Sequence, residues 1–216
     1  MERKIDLSRH AIAFVITALV FALGILLGWQ MGYTATSQIA SEFETIKLDD
    51  YTMEIISLMG DNSTFACGVY NEQIAKFNTE TIEFGNKLDF LEKRKGKLDA
   101  EVMQLKKSYT LMQMRNYFLL KKIDALCGSS HKVMLYFYSN ENYNERADQG
   151  IVISSVLAET KNSFIVFHFD VNVDLPVLKV FKESFGVTTA PTLIINNGKY
   201  EGFMDKGRLL EAINET

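Results

Sequence analysis

Proline and glycine are scarce in this chain of 216 residues, which contains 2 prolines and 13 glycines. Because 47% of the residues are also hydrophobic, the composition excludes a disordered or collagen-like chain. Both prolines, Pro176 and Pro191, lie in the last quarter of the sequence, so proline interrupts no helix before them. This asymmetry indicates two different architectures in one chain.

A strong charge bias and the common enzyme motifs are absent too. With 23 basic and 27 acidic residues the formal net charge is −4, which gives no sign of a nucleic-acid partner. The chain has no dinucleotide-binding or phosphate-binding loop, no HExxH motif and no nucleophile elbow. His10, His131 and His168 lack the spacing of metal ligands. These patterns predict no catalytic residue, metal or cofactor.

One hydrophobic run stands out near the N-terminus. Residues 11–28 (AIAFVITALVFALGILLG) carry no charge, and as a helix they would cross roughly 30 Å of hydrocarbon. Trp29 and Tyr33 follow where an aromatic belt would lie at the far interface. We therefore predict a cytoplasmic segment over 1–10 and a transmembrane helix over 11–33.

The flanking charges predict the orientation of this helix. Arg3, Lys4 and Arg9 precede it, whereas the first charged residue after it is Glu42. The positive-inside rule then predicts a single-pass protein of the cell membrane with a cytoplasmic N-terminus and an extracytoplasmic C-terminal part. The alternative is a cleaved signal peptide, for which 35–37 offers small residues, but the apolar run exceeds the usual length.

The region over 34–127 is predicted to be helical, because 36–126 contains no proline and is rich in helix-forming residues. Counting in sevens from Cys67 as position a, every d position is apolar or aromatic, and the polar exceptions fall on a. The d residues are Tyr70, Phe77, Phe84, Leu91, Leu98, Leu105, Met112, Leu119 and Leu126. Such a repeat is typical of a coiled coil or of helices packed at a shallow angle.

Two architectures satisfy this repeat. An unbroken helix over 67–126 would be about 90 Å long and would need a partner chain along its seam, which predicts a homodimeric coiled-coil stalk. Asn116 at an a position would then fix the register. Alternatively, the chain turns at 60–64 and at 94–97, where Gly96 is the only helix breaker. Three helices would then bundle over 36–59, 67–93 and 98–126.

The two cysteines, Cys67 and Cys127, separate these architectures. Outside the cytoplasm we expect them to be oxidised rather than free. The bundle would join them in an intrachain disulfide worth about 3 to 4 kcal/mol, whereas in the stalk Cys67 could bridge two chains. Two free buried thiols are the third alternative. Neither cysteine has another nearby in the sequence, so no local redox dithiol is encoded.

After 128–130 the periodicity changes from helical to strand-like, which predicts a separate α/β domain over 131–216. The dipeptide Asn197-Gly198 predicts a tight hairpin turn. The predicted elements are strand 133–138, helix 151–160, strand 163–169, helix 175–185, strand 192–195, strand 199–203 and helix 205–214. Their order predicts a small mixed sheet with helices on both faces.

The end of this region, FGVTTAPTLIINNGKYEGFMDKGRLLEAI, resembles the thioredoxin family. The resemblance lies in Ala190-Pro191-Thr192 entering a strand, in the hairpin turn and in the terminal helix, and it extends over about 85 residues. It implies a thioredoxin-like fold with a cis proline at Pro191. The binding groove implied by the resemblance is formed by Ala190, Pro191, Thr192, Asn142 and Tyr143. Asp170 resembles the acidic residue that ends the preceding strand.

The family's CxxC motif belongs in the loop after the first core strand. Here that loop over 139–146 reads SNENYNER and contains no cysteine. Because thiol–disulfide exchange requires a thiolate, the resemblance implies a redox-inactive member whose groove is retained. Cys127 precedes the strand and does not match the catalytic position.

Three functions are compatible with the sequence. The first is a membrane-anchored, extracytoplasmic module that binds or scaffolds a protein partner through the thioredoxin-like domain. The second is a thiol–disulfide oxidoreductase, or an accessory to one, that acts through Cys67 or Cys127. The third is a structural tether in which the coiled coil carries the function.

Overall fold

The computed structural model describes residues 10–28, 51–52, 54–56, 58–60, 63–97, 99–139, 143–161, 163–196 and 198–214. The chain divides into two compact units, residues 1–45 and 46–216. The described part of the first unit is a helix, and that of the second unit combines a helical hairpin with a small mixed sheet. The domain boundaries predicted within the second unit stay predictions.

Helix α1 spans His10–Gly28, and its 19 residues are long and apolar enough to cross a membrane. An N-terminal signal sequence has the same properties. The hydroxyl of Thr17 donates a hydrogen bond to the carbonyl of Ala13 at 2.9 Å, so the polar group is satisfied within the helix. The predicted aromatic belt residues Trp29 and Tyr33 lie outside the described residues.

Two long helices follow in the second unit, α2 over Thr64–Lys95 and α3 over Ala100–Cys127. Helix α2 begins at Ser63, whose hydroxyl oxygen accepts the N–H of Ala66 at 3.2 Å. It ends at Gly96, which has a φ of 97°, a conformation that favours glycine. The chain reverses direction at this glycine.

Helix α3 begins one short turn later, where the carboxylate of Asp99 caps its first turn. Oδ1 of Asp99 accepts the N–H groups of Glu101 and Val102 at 3.0 and 3.1 Å. The helix ends at Gly128, which adopts the left-handed conformation common at helix C-termini. Gly96 ends one helix and Asp99 caps the start of the next. The helix is therefore broken there, although the heptad spacing stays in register across the turn.

A disulfide joins Cys67, near the start of α2, to Cys127, the last residue of α3, and the two Cα atoms lie 5.9 Å apart. The folded-back alternative with an intrachain disulfide is therefore the one found. The unbroken stalk and the interchain disulfide are wrong, because Gly96 breaks the helix and α3 packs back along α2 of the same chain. Asn116 is buried inside this chain at 5% exposure.

The apolar seam is filled within the one chain. Phe84 of α2 stacks on Tyr109 of α3 with ring centroids 5.4 Å apart. A short helical segment before α2, described at 51–52, 54–56 and 58–59, lies against this hairpin. Within it, Glu54 forms an ion pair with Arg115 of α3 at 2.8 Å. The rest of the helix predicted over 36–59 lies outside the described residues.

The sheet has the strand order β2-β1-β3-β4. Strands β1 and β2 are parallel, whereas β3 is antiparallel to β1 and β4 is antiparallel to β3. The bounds are Val133–Tyr138 for β1, Ile165–Asp170 for β2, Thr192–Ile195 for β3 and Gly198–Glu201 for β4. The predicted small mixed sheet is thus present, and β1 and β3 have the predicted bounds.

Helices cover both faces of the sheet. They are α4 over Tyr143–Glu159, α5 over Pro176–Ser184 and α6 over Lys206–Asn214. Alternate strand residues face opposite layers: one core contains residues of α5 and α3, and the other contains residues of α4 and α6. Phe167 of β2 contacts Phe77 and Tyr117 at ring-centroid distances of 6.4 and 5.8 Å, so the hairpin and the sheet share a core.

One predicted segment needs correction. The loop predicted over 139–146 is shorter, because α4 begins at Tyr143 rather than at Ile151. Its first two turns (YNERADQG) are polar and show no apolar stripe, so hydrophobic periodicity could not detect them.

Candidate functional site at the carboxyl edge of the sheet

Three segments of the chain meet at the carboxyl edge of the parallel strands. Strands β1 and β2 end at Tyr138 and Asp170, which are register partners. Because β3 is antiparallel to β1, its first residue, Thr192, lies at the same edge opposite Phe137. Ligands of α/β sheets commonly bind at the carboxyl ends of parallel strands. This edge is therefore the candidate functional site.

Three of the predicted groove residues, Ala190, Pro191 and Thr192, lie together at this edge. The peptide bond between Ala190 and Pro191 is cis. The Pro191 carbonyl accepts the N–H of Gly202 at 2.8 Å, and the Thr192 hydroxyl donates to the Thr189 carbonyl at 2.7 Å. These hydrogen bonds hold the chain on both sides of the proline.

The other two predicted groove residues belong to the segment after β1. Asn142 lies outside the described residues. Tyr143 is the first residue of α4, but its side chain lies outside the described part of the structure. The hydroxyl of Ser139, directly after β1, donates a hydrogen bond to Oδ1 of Asn172 at 2.9 Å. This hydrogen bond joins the segment that follows β1 to the segment that follows β2.

A buried ion cluster connects the helical hairpin to this edge. The ammonium group of Lys106 in α3 lies 2.5 Å from Oδ2 of Asp170 and 3.1 Å from Oε1 of Glu92 in α2. The side chains of Lys106, Glu92 and Asp170 are only 5%, 6% and 3% exposed. One cation therefore pairs with two carboxylates from two different elements, away from solvent.

The energetics of such a cluster are asymmetric. Removing a charged side chain from water is expensive, so a buried ion pair gains little over well-packed apolar side chains. Removing one partner, however, leaves an uncompensated buried charge and costs roughly 3 to 5 kcal/mol. Lys106 is thus difficult to replace, even though the cluster itself adds little net stability.

The sequence reasoning missed this cluster, although a signal was available. Glu92 and Lys106 both directly follow a d residue, Leu91 and Leu105. Opposite charges at positions flanking a seam commonly pair between neighbouring helices. The contact between Lys106 and Asp170 could not be predicted from local sequence, because 64 residues separate the two.

The charges around the segment between β2 and α5 also interact. Lys179 of α5 contacts Asp174 at 2.8 Å. This hydrogen bond, followed by the attraction of the ammonium charge, lowers the pKa of the Asp174 carboxyl, and the carboxylate raises the pKa of Lys179. Both side chains are largely exposed to solvent, so the pair contributes little to stability.

The cysteines lie far from this edge. Twenty-one residues of helix separate Lys106 from Cys127, which corresponds to about 31 Å along the axis of α3. Both cysteines of the chain are used in the one disulfide. Among the described residues, no group of three His, Cys, Asp or Glu side chains is arranged to hold a metal ion.

A scan against protein-family models and a search of the curated proteins found no match to this chain.

Proposed function

We propose that this chain is a single-pass membrane protein whose C-terminal part is a thioredoxin-like domain without a catalytic dithiol. In this proposal, the domain binds a protein partner at the carboxyl edge of its sheet. The observation that carries the proposal is the composition of that edge. Ser139, Asn172 and the Ala190–Thr192 segment meet there, and none of them can supply a thiolate.

The topology supports the thioredoxin-like part of the proposal. The β-α-β-α-β-β-α order, the strand order β2-β1-β3-β4 and the proline that opens β3 all agree with the resemblance stated for 131–216. Helices α4 and α6 share one face of the sheet, and α5 packs on the other.

Helix α1 and the disulfide support the proposed location. A helix that can cross a membrane, preceded by Arg3, Lys4 and Arg9, favours a cytoplasmic N-terminus. The disulfide between Cys67 and Cys127 favours an oxidising compartment for the second unit. Both observations support the proposal of a membrane-anchored protein with an extracytoplasmic C-terminal part.

Site-specific photocrosslinking of the full chain in its native membrane tests the proposed binding site. A benzophenone amino acid replaces Thr189, which is exposed beside Pro191, and in a matched control it replaces Ser163, which is exposed at the opposite edge of the sheet before β2. We expect a discrete protein adduct from position 189 and none from position 163. Equal adducts from both positions, or none from 189, would contradict the proposal.

A further inference from the structure

The buried ion cluster continues into a chain of hydrogen bonds that ends at the proposed binding site. While Oδ2 of Asp170 contacts Lys106, Oδ1 of the same carboxylate accepts the backbone N–H of Asn172 at 3.1 Å. The side-chain oxygen of Asn172 in turn accepts the hydroxyl of Ser139 at 2.9 Å. Both oxygens of one carboxylate are thus used, one toward the hairpin and one toward the edge of the sheet.

We propose that Lys106 is a positioning residue for the proposed binding site: by holding the carboxylate of Asp170, it sets the positions of Asn172 and Ser139. The inference rests on the proposed function, because it assigns the helical hairpin a part in shaping that same edge. The ligand class remains the protein partner of the proposal.

The burial of Lys106, Glu92 and Asp170 supports a geometric role. Replacing Lys106 alone by an apolar side chain would leave the carboxylates of Glu92 and Asp170 buried without their cation. The cation of Lys106 contacts Oδ2 of Asp170, which leaves Oδ1 of the same carboxylate toward the Asn172 N–H. Charge-assisted hydrogen bonds of this kind are directional and stronger than neutral ones.

The hairpin provides a rigid support for this lysine. Glu92 holds the ammonium from α2, and its backbone carbonyl accepts the N–H of Gly96 at 3.0 Å where the chain reverses. Three residues before Lys106 along α3, the N–H of Met103 bonds to the carbonyl of the cap residue Asp99 at 2.8 Å. Helix α3 thus carries the lysine, and the carboxylate of Glu92 in α2 contacts its ammonium group.

Backbone amide exchange in the full chain, measured by NMR in detergent micelles, tests the inference without any partner. In Lys106→Met we expect the Asn172 amide to exchange at least tenfold faster and the Ser139 amide resonance to shift, while the core amides of Phe137 and Leu193 keep their rates. Lys95→Met is the matched control, because it removes the same charge from an exposed ion pair with Glu101 on the same hairpin. It should leave all four amides unchanged.

Three results would overturn the inference: an unchanged Asn172 amide in Lys106→Met, an equal effect in Lys95→Met, or equal acceleration at Phe137 and Leu193. The last result would reveal general loosening rather than positioning. If Lys106→Met does not fold, the double variant Glu92→Gln/Lys106→Met removes one of the two buried carboxylates and is measured instead. Restoration of the Asn172 rate to within threefold in Lys106→Arg is expected.

Photocrosslinking from position 189 in the Lys106→Met background separates this inference from the proposed function. We expect the adduct to fall at least fivefold relative to the same position in the otherwise unaltered chain. If the unaltered chain gives no adduct at 189 but the Asn172 amide responds as expected, the proposed function fails and the positioning role of Lys106 stands.

Discussion

The hydroxyl of Tyr109 lies directly against Gly85: a Cβ atom at residue 85 would meet that oxygen at 3.1 Å. Tyr109 is buried and stacked on Phe84, so it has little room to move away. Glycine in the middle of α2 costs roughly 0.5 to 1 kcal/mol relative to alanine. This close approach explains why the residue is tolerated there.

The contact predicts a non-additive pair of substitutions. We expect Gly85→Ala to bring no gain in the free energy of unfolding, because the new methyl group crowds the hydroxyl. In a Tyr109→Phe background, the same substitution should stabilise by about 0.5 to 1 kcal/mol, since the crowded oxygen is gone. Denaturant unfolding of the four variants measures the difference. Equal effects of Gly85→Ala in both backgrounds would exclude the contact.

Burial of Tyr109 also predicts a dependence of stability on alkaline pH. Desolvation raises the pKa of its hydroxyl above the ordinary value of 10.0. Above that value the unfolded chain loses a proton that the folded chain keeps, so the free energy of unfolding should fall as the pH rises above about 10. In Tyr109→Phe this fall should be smaller, and thermal unfolding at pH 9 and pH 11 compares the two. Identical falls would contradict the assignment.

The disulfide should contribute strongly to stability. Its cysteines are 60 residues apart in sequence, and closing a loop of that length stabilises by about 4 kcal/mol in the loop-entropy model. We expect Cys67→Ser/Cys127→Ser to lower the free energy of unfolding by roughly that amount, as measured by denaturant unfolding. A loss below about 1 kcal/mol would indicate that the bundle constrains the chain without the bond.

Phe181 of α5 is the centre of an aromatic cluster between the hairpin and the sheet. Its ring lies 5.7 Å from that of Tyr117 and 5.1 Å from that of Phe169, and the residue is 3% exposed. Phe181→Ala should cost about 3 to 5 kcal/mol by leaving a cavity. Val180→Ala, at a position that is 65% exposed, is the matched control and should change stability little. Similar unfolding midpoints for both variants would contradict this packing.

Local sequence patterns predicted much of this fold, and the exceptions have physical reasons. The runs VMLYFY and TLII, which became β1 and β3, are short, apolar and bounded by polar segments, so their bounds could be read directly. The start of α4 at Tyr143 could not be read from the sequence, because the residues of its first turns, YNERADQG, are mostly polar and follow no apolar period.

The groove formed by Ala190, Pro191 and Thr192 stays a prediction, although these residues lie at the carboxyl edge of the sheet. The resemblance gave no indication of Lys106. A heptad count detects which residues face the neighbouring helix, but it carries no information about a strand that follows much later in the chain. Choosing between stalk and bundle likewise depended on Gly96, whose effect on the helix only the folded structure reveals.

The central proposal is that this chain binds a partner without exchanging disulfides. The most direct measurement is the rate at which dithiothreitol reduces insulin disulfides in the presence of the protein in lipid nanodiscs. The account predicts a rate equal to that with empty nanodiscs, because neither Cys67 nor Cys127 lies at the carboxyl edge of the sheet. A rate above that background that disappears in Cys67→Ser/Cys127→Ser would contradict the account and favour an oxidoreductase.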